Sequence, residues 1–86
     1  MNNYNAKEFI TINGSYVGYI QGGYVFHLEN DDIIDFDQIN PKILKNFNLK
    51  SVEFKNRAFE ITYSEILDDL DEGDFVIFKL QNLKLL

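Results

Sequence analysis

The chain has no cysteine and no tryptophan, and only one proline, one histidine and one methionine among its 86 residues. Lacking cysteine, it can form no disulfide, no thiolate zinc site and no cysteine nucleophile, so its stability must come from an apolar core. Material for that core is present, with 45% hydrophobic residues and eight phenylalanines. Long apolar runs are also missing. The longest, Phe75 to Phe78, has four residues, far short of the about 20 that cross a bilayer as a helix. The opening Met1-Asn2-Asn3-Tyr4-Asn5 is polar and lacks the basic-then-apolar order of a signal peptide. These absences lead us to expect a cytoplasmic protein with no membrane partner. Dividing so short a chain would leave pieces too small to bury a useful core, so residues 1–86 are read as a single domain, with residues 1–6 a loose N-terminal tail.

Basic charge is scarce as well. The formal charge is −6 and the pI near 4.5, the wrong sign for a protein that works mainly by neutralising phosphates. The distribution is uneven. From Lys42 to Arg57 five basic residues face Glu53 alone, a balance of +4, which leaves −10 on the rest of the chain. A bipolar surface follows, and either pole can steer a partner of opposite sign.

The clearest strand is Phe59 to Tyr63, where Phe59, Ile61 and Tyr63 alternate with Glu60 and Thr62. A second runs from Phe75 to Leu80, apolar on both faces at its start, as in a central or barrel-closing strand. Further upstream, residues 7–38 read as an antiparallel meander. Asn13-Gly14 is a preferred type I′ hairpin dipeptide, and a turn there pairs Ile12 with Ser15 and Ile10 with Val17. Gly22-Gly23 makes the next turn, pairing Tyr19 with Phe26 and Val17 with Leu28 on the same face. A three-residue loop ending at Asp32 then sets Leu28 against Ile34 and Phe26 against Phe36. Tyr16, Gly18, Ile20, Val25, His27, Ile33, Asp35 and Asp37 fall on the opposite face. The alternative for residues 7–21 is one long strand bent at Gly14 or Gly18, since Ile10, Ile12, Tyr16 and Ile20 also keep one phase.

Asn40-Pro41 has the order of an N-cap followed by a first helical residue, and Ile43, Leu44 and Phe47 supply the apolar face of about two turns. Ser51 is a second candidate cap, and Lys55-Asn56-Arg57 a turn into the Ala58 strand. The inward set Val76, Phe78, Leu80 changes phase to Leu83 and Leu85, which predicts a bulge near Gln81-Asn82. The expected fold is mainly β with one short helix, an antiparallel meander closing into a small, partly open barrel of order β-β-β-β-α-β-β. The alternative is an α+β antiparallel sheet with one packed helix. In its order of elements, and in that alone, the expected barrel resembles the OB type.

His27 is the only side chain of ordinary general-base pKa. The register places it opposite Asp35, but Ser15, Ser51 and Ser64 sit in turn or cap contexts, not in a nucleophile elbow. No catalytic residue is assigned. Asp68, Asp69, Asp71, Glu72 and Asp74 offer hard oxygen ligands, yet a calcium loop counted from Asp69 puts Gly73 at position five, where the EF-hand order needs it at six. Alternation turns Asp35 and Asp37 outwards, away from Asp31 and Asp32. No metal or cofactor is expected.

Between the two clear strands lies Ser64 to Asp74, six of whose eleven residues are acidic. It reads as a loop, or as a short helix capped by Ser64 with Ile66, Leu67 and Leu70 on one face. Ile66, Leu67, Asp68, Asp69, Leu70, Asp71, Glu72 and Asp74 are the candidate partner-binding residues, an acidic-rimmed apolar anchor for a basic protein. The functional expectation is a small non-enzymatic interaction module. The alternative is a weak single-stranded nucleic-acid binder using Lys42, Lys45, Lys50, Lys55 and Arg57 with a nearby aromatic such as Phe47, Phe54 or Tyr63. The acidic balance makes nucleic acid the less favoured partner.

Overall fold

The computed structural model describes the backbone of residues 6–70 and 73–86, and the side chains of residues 8–65 and 76–86. The elements are β1 (Ala6–Ile20), β2 (Gly23–Leu28), β3 (Ile33–Phe36), β4 (Gln38–Ile39), α1 (Pro41–Asn46), a 3₁₀ turn (Val52–Phe54), β5 (Ala58–Leu70) and β6 (Gly73–Leu85). They make a mainly β protein with one short helix. The sheet has six strands in the order β3-β2-β1-β5-β6-β4, antiparallel except where β4 runs parallel to β6. It is mixed and not closed.

Residues 7–21 take the bent-strand course. There is no hairpin at Asn13-Gly14: Asn13 pairs with Glu60, and Gly14 pairs with Phe59 on one side and Leu28 on the other. A continuous ladder from Ala6 to Ser15 with β5 satisfies more backbone groups than a two-stranded hairpin can. Gly14 serves close approach. A Cβ there would stand 2.6 Å from the His27 carbonyl oxygen. The bend falls at Val17, the extra residue of a bulge between Tyr16, paired with Phe26, and Gly18, paired with Val25. Gly18 has φ 151°, a value glycine reaches without strain.

The next turn is at Gln21-Gly22, one residue before the expected site, with φ 48° and 86°. Positive φ at both central residues matches the strand twist in a two-residue hairpin. The bulge and this shift together overturn the expected pairing. Tyr16, expected outside, is fully buried, while Tyr19, expected in the core, is half exposed. The third turn is a three-residue loop, Glu29 to Asp31, closed by Asp31 N–H to Leu28 O at 2.9 Å and Leu28 N–H to Asp32 O at 2.8 Å. Asp31 is left-handed at φ 72°, the form of a type I turn with a G1 bulge. Phe26 therefore pairs with Ile34 instead of Phe36. A shift of two residues keeps the face, and the Phe26 and Phe36 rings still meet at 6.0 Å.

Downstream the structure follows the pattern more closely. The Asn40 side chain accepts from Lys42 N–H, Pro41 opens α1, and Ile43 is buried. The Ser51 hydroxyl accepts from Glu53 N–H at 3.1 Å and caps the 3₁₀ turn. Phe59, Ile61 and Tyr63 are buried, as are Leu80 and Leu83. The β5–β6 register shifts at Thr62/Tyr63, where Thr62 pairs with Asn82 and Tyr63 with Leu80, so Gln81 is the bulged residue. Its side chain donates to the buried Ser64 hydroxyl at 2.9 Å. Val76 and Leu85, expected inward, are exposed: Val76 lies beyond the stretch that β4 covers, and Leu85 is one residue from the end of the described chain.

Candidate functional site

The segment expected as a loop or capped helix is neither. Ser64 to Leu70 continues β5, and Gly73 onwards is β6, paired as Ile66 with Ile77, Leu67 with Val76, Asp68 with Phe75, Asp69 with Asp74 and Leu70 with Gly73. Ala6 and Lys7 of β1 extend the ladder on the other side by pairing with Leu67 and Ile66. A helix here would have set Asp68 against Asp71 and Glu72 at like-charge spacings and used aspartates, which are poor helix formers. The strands instead pair Ser64 to Leu70 with Gly73 to Lys79 in one ladder. Ser64 is consequently a buried strand residue and no cap. Asp71 and Glu72, and the side chains of Ile66, Leu67, Asp68, Asp69, Leu70 and Asp74, lie outside the described residues. Glu65 is half-buried. Together with burial, the larger cause, its charge raises the Tyr63 pKa above the ordinary phenol value, with a further contribution from Asp32.

The five basic residues divide. Lys42 and Lys45 are exposed on α1, and Arg57 is exposed just before β5. Lys50 and Lys55 come together at a cavity of about 210 Å³ between the bulged end of β1 and the 3₁₀ turn, lined also by Val17, Gly18, Tyr19, Ile20, Ser51 and Val52. The Lys50 ammonium stands 5.0 Å from the Tyr19 ring centroid, a cation–π distance. Tyr19 also leans on Tyr24 at 4.9 Å. Val52 is 82% exposed and Ile20 48%, so the rim is both apolar and basic. The aromatics that the nucleic-acid alternative would need beside the lysines belong to the core, as the apolar face of α1 and the inward phase of β5 lead one to expect for Phe47 and Tyr63. Phe47, Phe54 and Phe59 pack on each other at 5.4 to 6.1 Å, and Tyr63 is buried. Tyr19 went unnoticed because the register expected from the sequence placed it inside. The sequence clue to its position is the pair Gly18 and Gly22 on either side.

His27 does not face Asp35. It pairs with Ile33 while Asp35 pairs with Val25, and its Nε2 lies 3.4 Å from Asp31 Oδ1 in the turn. Ser15 pairs with His27 across the strands, and with Asp31 and Leu86 the two line a second, open cavity. With the His27 and Asp31 side chains 48% and 94% exposed, water competes for every contact of the pair, and among the described residues no buried carboxylate orients the ring. The Asp35 side chain instead lies over Gly23, where its Oδ1 would clash with an added Cβ. Among the described residues no three His, Asp or Glu side chains gather as a metal would need, and no helix is long and apolar enough to cross a membrane. Comparison with protein-family models, curated proteins and solved structures finds no match.

Proposed function

We propose that the protein is a small, non-enzymatic interaction module that recognises a basic protein surface through its acidic β5–β6 hairpin. The observation that carries this reading is the separation of its two charged ends. The hairpin holds Glu65, Asp68, Asp69, Asp71, Glu72 and Asp74 at one end of β5, while the basic Lys42 to Arg57 segment precedes the other end. Thirteen strand residues at about 3.3 Å each separate the ends by roughly 40 Å, several Debye lengths at physiological salt. The Lys42 to Arg57 segment is therefore too far away to neutralise the hairpin, whose ladders carry only Lys7, opposite Ile66, and Lys79, opposite Ser64, and a cationic partner would relieve the remaining charge. Inhibition of a nucleic-acid-handling protein by charge mimicry is one form of this activity, and the cytoplasm its proposed place.

The finer architecture belongs to the same reading. β3 and β4, the two edges of the sheet order, are joined through Asp37 alone, and Phe36 of β3 meets Tyr63 of β5 at 5.5 Å. Both relations support a sheet rolled towards a partly open, OB-like barrel with the hairpin projecting from it. The test is capture of partners from a cell extract on the parent protein and on a variant with Asp68, Asp69 and Asp71→Asn and Glu72→Gln. A high-pI protein retained by the parent and lost by the folded variant supports the reading. Equal retention by both overturns it.

A further inference from the structure

We propose that the Tyr19–Lys50 cavity is a docking site for the acidic hairpin of a second copy of this chain, so that copies associate head to tail. The inference rests on the same hairpin as the proposed function but assigns the opposite end of the molecule. The cavity follows the point where β1 leaves β5: Ser15 pairs with Ala58, and Val17 to Ile20 then line the site. The hairpin lies at the far end of β5, in a molecule 45 Å long and about 24 Å across. One chain cannot bring its own two ends together. Two chains can.

The chemistry of the two surfaces matches in kind. The cavity presents two ammonium groups, Lys50 and Lys55, beside exposed Tyr19, Ile20 and Val52. The hairpin sequence interleaves carboxylates with Ile66, Leu67 and Leu70, so each surface offers both charge and apolar area to the other. Charge sets the encounter rate, and apolar contact sets the lifetime. A nucleic-acid strand offers phosphates to the same two lysines but no aliphatic side chains to set against Ile20 and Val52. A hairpin from another copy carries Ile66, Leu67 and Leu70 in the same short stretch as its carboxylates. Such a contact is heterologous, closing as an antiparallel pair or continuing as a chain of copies.

The experiment is sedimentation of the parent and of two charge-reversed variants, Lys50→Glu/Lys55→Glu and Asp71→Lys/Glu72→Lys, at about 0.02 M and about 0.5 M salt. The parent is expected to exceed the monomer mass at low salt, increasingly with protein concentration, and to return to monomer at high salt. Each variant alone should be monomeric at low salt, and an equimolar mixture should regain a complex of twice the monomer mass. Circular dichroism checks folding, and Val52→Asp, at a site 82% exposed, is a second cavity variant expected to weaken association at least tenfold. A parent that stays monomeric at low salt up to about 1 mM, where weak self-contacts show, overturns the proposal. So does an oligonucleotide whose binding is lost in the lysine variant while copies do not associate. Retention of a basic protein by the lysine variant, with loss in the hairpin variant, would leave the proposed function standing without the self-contact.

Discussion

The Tyr16 hydroxyl donates to the Leu49 carbonyl across 2.6 Å in the buried interior, tying the bulged strand to the segment that leaves α1. The same residue is held through its backbone, donating from N–H to Arg57 O at 3.0 Å and accepting from Asn56 N–H at 2.7 Å. Its ring lies 4.9 Å from Phe26. Tyr16→Phe keeps the ring and removes the donor, leaving a buried carbonyl unpaired at a cost of about 1 to 3 kcal/mol. Urea unfolding measures that loss. A change below about 0.3 kcal/mol would mean that water reaches Leu49.

Burial raises the Tyr16 pKa from 10.0 to about 12, with smaller contributions from Tyr24 and Tyr19. The folded chain thus holds this proton at pH values where the unfolded chain has released it. Stability is full below pH 10, falls as pH rises from 10 to 12, and levels off once both states are ionised. The loss over that window is on the order of 2 to 3 kcal/mol. Denaturation midpoints across the window, compared between parent and Tyr16→Phe, isolate the contribution of this hydroxyl. Absorbance near the phenolate band should show a late step near pH 12 in the folded parent that Tyr16→Phe lacks.

Gln21 occupies a left-handed position in the β1–β2 turn at φ 48°, where a side chain costs about 1 kcal/mol relative to glycine. Gln21→Gly or Gln21→Asn should therefore stabilise the fold by about 0.5 to 1 kcal/mol. The thermal midpoint is the measurement. A decrease on both substitutions would show that the Gln21 side chain holds the turn by a contact of its own.

The difference between what the sequence disclosed and what it hid follows from range. Asn40, Pro41 and Ser51 act within three residues, so their caps were legible. The phase change from Leu80 to Leu83 is local to one strand, and the bulge appeared there, although that Gln81 serves Ser64, 17 positions away, left no mark. Asn13-Gly14 has strong turn chemistry that a non-local ladder overrode: β5 supplies ten partners along β1, more than any two-residue turn offers. Once that turn was misplaced, the faces of Tyr16 and Tyr19 were exchanged, and the aromatic of the basic cavity went unseen. The acidic segment was misread because apolar residues at 66, 67 and 70 fit a helical face, whereas the ladders on both sides of β5 carry the strand through it.

Phe26 and Phe78 separate core from margin. Phe26 is wholly buried and meets Tyr16, Phe36 and Phe59 at 4.9 to 6.2 Å. Phe78 is half-buried and meets Tyr63 at 5.8 Å. Phe26→Ala should cost about 3 to 5 kcal/mol, whereas Phe78→Ala should cost about half as much because less surface returns to water. Equal losses by chemical denaturation would place the outer part of β6 in the core and count against a projecting hairpin.

The register of that hairpin sets Asp69 directly opposite Asp74, one pair before Leu70 and Gly73, the last described pair of the ladder. Like charges facing each other across a ladder repel, and Asp68, Asp71 and Glu72 stand beside them in the chain. Neutralising one member should then strengthen the isolated protein, the reverse of what removing a structural carboxylate does. Asp69→Asn is expected to raise stability by about 0.3 to 1 kcal/mol at low salt, and the gain should shrink at high salt because screening already relieves the parent. Asp35→Asn, on β3 away from the hairpin, is the control and should change stability by less than about 0.5 kcal/mol. Denaturation of all three proteins at both ionic strengths decides the matter. If Asp69→Asn destabilises at low salt, the carboxylate is satisfied within the fold, the hairpin holds no unrelieved charge, and the case for a cationic partner at that end loses its physical basis.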